Sequence, residues 1–381
     1  MVTDRTRVLE RLEALVSIET PSGYAPGIAA AQGLVSAWLQ PLIGPPRRET
    51  VSGVTHLSWA GGTQPDVLLL GHIDTVFPVG TTAQRPFRCG DDRVTGPGVF
   101  DMKAGIVIMA EALAQARHPE RVAVLLTSDE EVGSLTSRAL IEREAVRAGA
   151  VLVLEPSLGG AVKVARRGGS IYRLDVHGRA AHAGLDPAEG RNALVELAHQ
   201  VLGVASFADE QQGTTVSPTV AHAGTATNVI PDAAHLKIDV RAWTVAELER
   251  VHAHMHALPA HTPDVEVRVT GGINRPPMED RCSRELLDIA RAVGGRLGHT
   301  DLQAVSAGGA SDGNFTAALG ARTLDGLGPD GSGAHGVDEW VSVPSLLERV
   351  ELVTGLLNEL TRAPLSPAQG GLFSAAATGD E

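Results

Sequence analysis

Three short runs without a polar residue, at 67–70, 122–126 and 151–154, decide most of what this chain can become. An apolar run of four or five residues has no side to turn to water. It suits a strand buried on both faces, inside a sheet with helices packed on each side. Each run stops at a group that such a sheet would not bury without compensation. The first ends at His72 and Asp74, the second at Asp129, Glu130 and Glu131, the third at Glu155 and Pro156. Ligands in open α/β sheets collect at the carboxyl ends of strands. The pattern therefore predicts an α/β fold with one chemically active sheet edge.

Helical periodicity over residues 4–18, 26–41, 102–116, 134–147, 280–294 and 344–361 supplies the flanking layers. From residue 163 the pattern changes. Strands at 170–177, 214–223, 235–241 and 265–269 and helices at 189–203 and 245–258 follow the order β-α-β-β-α-β. That order is ferredoxin-like, and the period-two alternation at 235–241 fits a sheet with one wet face. The expected organisation is an α/β domain from 1–162 and 276–364, an inserted α+β domain at 163–275, and a disordered tail at 365–381. A length of 381 residues suits two cores better than one.

A formal charge of −13 argues against nucleic acid as a partner, and no apolar run is long enough to cross a membrane. Cys89 and Cys282 are too few for a disulfide framework or a thiolate metal site. With a charged amphipathic helix in place of a signal core near residue 5, cytoplasmic localisation is the expectation.

The chemistry centres on Asp101, in the glycine-rich turn 96–101 just before the helical run. We read Asp101 as a carboxylate bridging two metal ions, with the strand ends converging on it. His72 offers a neutral imidazole. Asp74, two residues on, projects to the same side and can hold the other ring nitrogen. Glu130 and Glu131 point apart, so one can bind metal while the other faces substrate and moves the proton that hydrolysis requires. Glu155 adds an oxygen, and His335, in a second glycine-rich loop, completes the set. Two imidazoles with several carboxylates and no thiolate suit zinc or cobalt better than calcium or magnesium. Singly, each piece is more often a surface pair or a helix start; their coincidence at the strand ends of one sheet carries the reading. A nucleotide-binding α/β protein is excluded, because no phosphate loop follows the first strand.

These segments, with Ala181-His182-Ala183-Gly184, resemble the M20 metallopeptidases, and within them the glutamate carboxypeptidase (carboxypeptidase G2-like) branch. The resemblance implies a zinc-peptidase-type catalytic domain with a mixed central sheet flanked by helices. It makes the insertion a lid and dimerisation domain, hence a homodimer. It implies two Zn2+ per subunit, with Co2+ or Mn2+ as substitutes. His72, Asp101 and Glu155 would hold one ion, and Asp101, Glu131 and His335 the other. Glu130 becomes the general base and acid, Asp74 the support of His72, and His182 a carbonyl-polarising group reaching the partner's site. Asn228, Arg241, Arg275 and Gly309 match substrate-contacting positions, an arginine fork suiting a terminal carboxylate. Where many members carry a second acid, this chain has Met102. Glu rather than Asp at 155 favours cleavage beside a free carboxylate. The implied activity is release of a C-terminal amino acid, glutamate first. An N-acyl-amino-acid deacylase of the same family is the nearest alternative, and a non-catalytic metal- or ligand-binding homologue the alternative from another class.

Overall fold

The computed structural model describes residues 3–299 and 301–367. The chain forms two compact units: one takes it as far as Arg166 and again from Glu279, and the other is Arg167–Met278.

Helix α1 (Arg5–Val16) starts where the Asp4 carboxylate accepts the Thr6 and Arg7 N–H groups, and buries Val8, Leu12, Leu15 and Val16. Helix α2 (Ala25–Ile43) follows. A hairpin that the apolar pattern does not announce comes next, β1 (Arg47–Val51) and β2 (Val54–Trp59). Its turn residues Ser52 and Gly53 both sit at positive φ, the geometry a two-residue hairpin turn requires. The three apolar runs become β3 (Val67–His72), β4 (Val122–Thr127) and β5 (Ala150–Val153), buried at every position.

Between β3 and β4 lies helix α3 (Ala104–Gln115), buried from Ala104 to Leu113 and apolar all round. Its one acid, Glu111, is fully buried and paired to Arg7 (2.6 Å) and Arg11 (3.0 Å) of α1. A Cβ on Gly105 would stand 2.0 Å from the Leu154 carbonyl, so only glycine lets α3 begin this close to the end of β5. Helix α4 (Arg138–Ala145) starts later than its periodicity predicts. Thr136 and Ser137 are held outside it by the buried Asp129 carboxylate, which accepts their hydroxyls and the Thr136 N–H.

In the second unit, β6 (Gly168–His177), α5 (Ala193–Ala205), β7 (Thr215–Ala223), β8 (Ala233–Ala242), α6 (Val245–His256) and β9 (Glu266–Arg275) follow one another. The sheet order is β7-β8-β6-β9, antiparallel throughout. Tyr172, Leu174, Val176, Leu236, Ile238 and Val240 alternate onto one face and form a separate core with Leu197, Leu248 and Val251 of the helices. Asn192 caps α5, so that helix starts at Ala193 instead of 189.

Back in the first unit come α7 (Arg284–Leu297), α8 (Gly313–Ala318), the short strand β10 (Thr323–Leu324) and α9 (Val343–Arg362), which packs on α3. The completed sheet runs β1-β2-β4-β3-β5-β10. Strands β4, β3, β5 and β10 are parallel, with the β1-β2 hairpin antiparallel at the edge. This is the mixed central sheet flanked by helices. Residues 368–381, most of the expected tail, lie outside the described residues; before them Leu365 packs on the core. Among the described residues no helix is long and apolar enough to cross a membrane.

Candidate metal centre

The parallel strands deliver their C-terminal residues to one edge. His72, at the end of β3, is 2% exposed. Its Nδ1 lies 3.0 Å from the Asp74 carbonyl and 3.5 Å from the Asp74 carboxylate. Its Nε2 faces Asp101 Oδ1 (3.2 Å) and Glu155 Oε1 (3.4 Å). Asp74 is fully buried, and it accepts the Ser22 hydroxyl (2.6 Å) and the backbone N–H groups of Glu130 (3.3 Å) and Glu131 (3.2 Å). One carboxylate thus orients the His72 ring and ties down the loop after β4.

Asp101 sits where the glycine-rich turn meets α3. Gly98 takes φ +72, open to glycine at no steric cost, and the Asp101–Met102 peptide is cis. Met102, where a second acid is common, is buried with its Sδ 3.2 Å from the His72 N–H. The second carboxylate oxygen of Asp101, Oδ2, faces His335 Nε2 at 3.3 Å, and the same nitrogen lies 3.1 Å from Glu131 Oε2. Two clusters therefore share Asp101: His72, Asp101 Oδ1 and Glu155 on one side, and His335, Asp101 Oδ2 and Glu131 on the other. Ligand atoms of His72, Asp101 and Glu131 all fall within 4.8 Å of one another.

The donor set fits divalent cations on two counts. Imidazole nitrogens and carboxylate oxygens are the ligands zinc takes in catalytic sites. Glu131 Oε1 is also buried with no hydrogen-bond partner among the described residues, an arrangement that costs stability unless something binds it. The electrostatics agree. Burial raises Glu131 to about 8, with the charges of Asp101 and Glu130 adding to it and those of His72 and His335 opposing it. Hydrogen bonding to Asp101 raises His335 to about 9. Burial pulls His72 down, but Asp101, Asp74 and Glu155 outweigh it and lift its pKa well above 6.5. Protons occupy this cluster where a cation would otherwise balance the acids.

Three supporting residues were not anticipated from the sequence. Arg166 is 3% exposed and donates to both oxygens of Asp325 (2.6 and 3.1 Å), to the Gly309 carbonyl (3.1 Å) and to Glu155 Oε2 (3.2 Å). With Oε2 so engaged, Glu155 presents Oε1 to the centre. Glu339 lies behind the Asp101 turn and accepts three of its backbone N–H groups. The only sequence signals were an arginine closing a strand and an acid four residues after His335.

The remaining candidates fall as follows. Gly309 is exposed, and a Cβ there would meet nothing within 4 Å. In the second unit His182 and Asn228 come together, since His182 pairs with Val229 and the Ala183 N–H donates to the Asn228 carbonyl (2.9 Å). The exposed His182 ring accepts the Gly184 and Leu185 N–H groups at Nδ1 (3.1 and 3.0 Å), which leaves Nε2 as an outward N–H donor. Arg241 already forks onto Asp239 (2.9 and 2.8 Å). Arg275 is buried at 6% exposure.

The fold and the acid–imidazole cluster define a metal-dependent hydrolase of the α/β kind. The chain belongs to peptidase family M20/M25/M40, whose pattern it matches over residues 68–359. It is 32% identical to carboxypeptidase G2 of Pseudomonas sp. (strain RS-16), over 94% of this chain and 90% of that one. It is 31% identical to succinyl-diaminopimelate desuccinylase of Dechloromonas aromatica, over 82% and 88%. Among solved structures, aminopeptidase PepT of Bacillus cereus superposes with a TM-score of 0.74 at 19% identity, covering 94% of this chain and 99% of that one. Members of this family are hydrolases acting on amide bonds, and this chain is an enzyme of that class; the YXEP protein of Bacillus subtilis, to which its fold is similar, is a dinuclear metal binding peptidase.

Proposed function

We propose that the chain is a zinc-dependent metallo-carboxypeptidase that hydrolyses an amide bond to release a C-terminal amino acid, glutamate being the first candidate. The observation that carries the reading is the pair of clusters sharing Asp101, one oxygen to each side. His72, Asp101 and Glu155 would hold one Zn2+, and Asp101, Glu131 and His335 the other, with Co2+ or Mn2+ as substitutes. Bound there, the ions would supply Lewis-acid polarisation of the scissile carbonyl and a nucleophilic water at neutral pH.

The chain's own groups do the rest. Glu130, its N–H fixed by Asp74, takes the proton of the attacking water and passes it to the leaving nitrogen. His182 donates from Nε2 to the oxygen on which negative charge develops. We assign residues 163–275 as lid and dimerisation domain, so that His182 serves the site of a second copy of the chain. Asn228, Arg241, Arg275 and Gly309 are assigned to substrate; Arg241 would exchange Asp239 for the substrate carboxylate. Two unpaired cysteines support a cytoplasmic setting.

A second reading, N-acyl-amino-acid deacylase, is favoured by the similarity to desuccinylases. Amino-acid release from N-acyl, N-benzoyl and dipeptide substrates, with chelator and zinc add-back, separates them. Chelator-sensitive release of glutamate from aryl-amide or peptide conjugates is the expected result. Release confined to short acyl amino acids selects the deacylase. Silence across the panel with two zinc ions bound overturns both in favour of a binding protein.

A further inference from the structure

The two clusters at Asp101 are not supported alike. On the first side, His72 is oriented by Asp74, and Glu155 by Arg166. On the second side, Asp74 accepts the Glu131 N–H, and a further buried carboxylate holds the backbone of Asp101 and lies in the loop of His335. Glu339 is 2% exposed. Its Oε1 accepts the N–H of Phe100 (2.8 Å) and of Asp101 (2.9 Å), and its Oε2 the N–H of Gly98 (2.8 Å). Three N–H groups of one turn converging on one carboxylate make an anion-binding concavity, which fixes the backbone that forms it. The turn's own bonds include Val99 N–H to the Gly96 carbonyl (3.2 Å), Lys103 N–H to the Gly98 carbonyl (3.0 Å) and Ala104 N–H to the Val99 carbonyl.

Glu339 also belongs to the loop that carries His335, four residues before it. That loop is bent against its preference: His335 is held at φ +64 and Gly333 at φ +81. A non-glycine residue persists in this region only when its surroundings over-determine it. It is fastened by Arg85 donating to the Gly336 carbonyl (2.9 Å) and by Glu339 anchored in the Asp101 turn. The same carboxylate that sets the backbone of the bridging acid therefore sets the far end of the His335 loop.

Resting on the two-metal reading above, we propose that Glu339 is the positioning residue of the second metal position. It keeps Asp101 and His335 in register, and without it the cation between Asp101, Glu131 and His335 is the one that is lost. The choice of an acid follows from the chemistry. Glutamine at 339 would turn an NH2 group toward at least one backbone N–H, leaving donors opposed inside a buried turn. His72 and Glu155 are held from outside that turn, by Asp74 and Arg166, and the first position shares Asp101 with it.

The test is zinc titration of metal-free protein in competition with a chromophoric chelator, comparing wild type with Glu339→Gln. Wild type binds two ions. Glu339→Gln binds one ion with the smaller loss, since that position shares Asp101, and the other about 10- to 100-fold more weakly, the usual cost of removing a residue that orients metal ligands. His335→Ala, which deletes a ligand of the same position, gives the same unequal pattern. Glu339→Asp keeps the acid and restores part of the affinity; it also carries the test should Glu339→Gln fail to fold. A purely structural role would lower the unfolding midpoint and weaken both ions equally. Equal weakening, or two ions at wild-type affinity in Glu339→Gln, overturns the proposal. A wild type that binds fewer than two ions instead overturns the two-metal reading itself.

Discussion

Asp101, Glu131 and His335 compete for charge in a space too small for all of them to be ionised together. In the metal-free protein Glu131 stands at about 8 and His335 at about 9, so both hold protons at pH 7. A divalent cation binds the carboxylate and the neutral imidazole, so its binding must expel those protons. The sign follows. Both groups carry more protons in the metal-free state than in the bound one, so zinc affinity falls as pH drops from 9 through 6. Each coupled proton makes the dissociation constant change about tenfold per pH unit below its pKa. Zinc calorimetry in buffers of different ionisation enthalpy should record proton release at pH 7. A zinc affinity that does not vary between pH 6 and 9 would contradict the geometry that places these groups around one cation.

At the scale of elements, the site depends on where strand ends meet the segment that returns from the second unit. Arg166, closing the strand Val162–Arg166, reaches Asp325 just after β10 and Glu155 just after β5. Both acids are buried, so removing the guanidinium leaves them without their counter-charge. Arg166→Met should cost about 3–5 kcal/mol in urea unfolding, and Arg166→Met with Asp325→Leu should recover part of that by removing one stranded charge. A loss below about 1 kcal/mol would mean that the pair is not buried in solution. The contrast with the ligands explains what the sequence could reveal. His72, Asp74, Asp101, Glu130, Glu131 and Glu155 each abut an apolar run or a glycine-rich turn, so local pattern marks them. Arg166 and Glu339 act across long separations, Glu339 reaching Asp101 over 238 residues. Nothing in His335-Gly336-Val337-Asp338-Glu339 distinguishes Glu339 from its neighbour Asp338 before the chain has folded. Boundaries were least legible where side chains override periodicity: α4 starts late because Asp129 holds Thr136 and Ser137, and α5 because Asn192 caps it. The compact units divide at Arg166 and Met278, where the sequence pattern puts 162 and 275; the strand Val162–Arg166 pairs with Ala304–Ala307 of the first unit.

At the scale of the whole molecule, the two units have separate cores, and the proposed chemistry divides between them. The acid–imidazole centre and Glu130 lie in the first unit, while His182, whose Nδ1 accepts the Gly184 and Leu185 N–H groups, lies in the second. If a second copy supplies His182, one chain with an intact metal centre can be completed by another whose centre is dead. Glu130→Ala should bind two zinc ions and lose about 10²- to 10⁴-fold in turnover, the range for removing a general acid–base group. His182→Ala should bind zinc normally and be impaired in turnover at unchanged metal content. Mixed under conditions that exchange subunits, the two inactive proteins form heterodimers in which one site has both Glu130 and the partner's His182. Statistical mixing makes half of the dimers heterodimers with one competent site each, so recovery should approach about a quarter of wild-type turnover at saturating substrate. Exchange is followed independently, by mass spectrometry of differently tagged chains. No recovery despite demonstrated exchange would place His182 in service of its own chain's centre, or of none. The separate effect of His182→Ala on turnover then decides between those two.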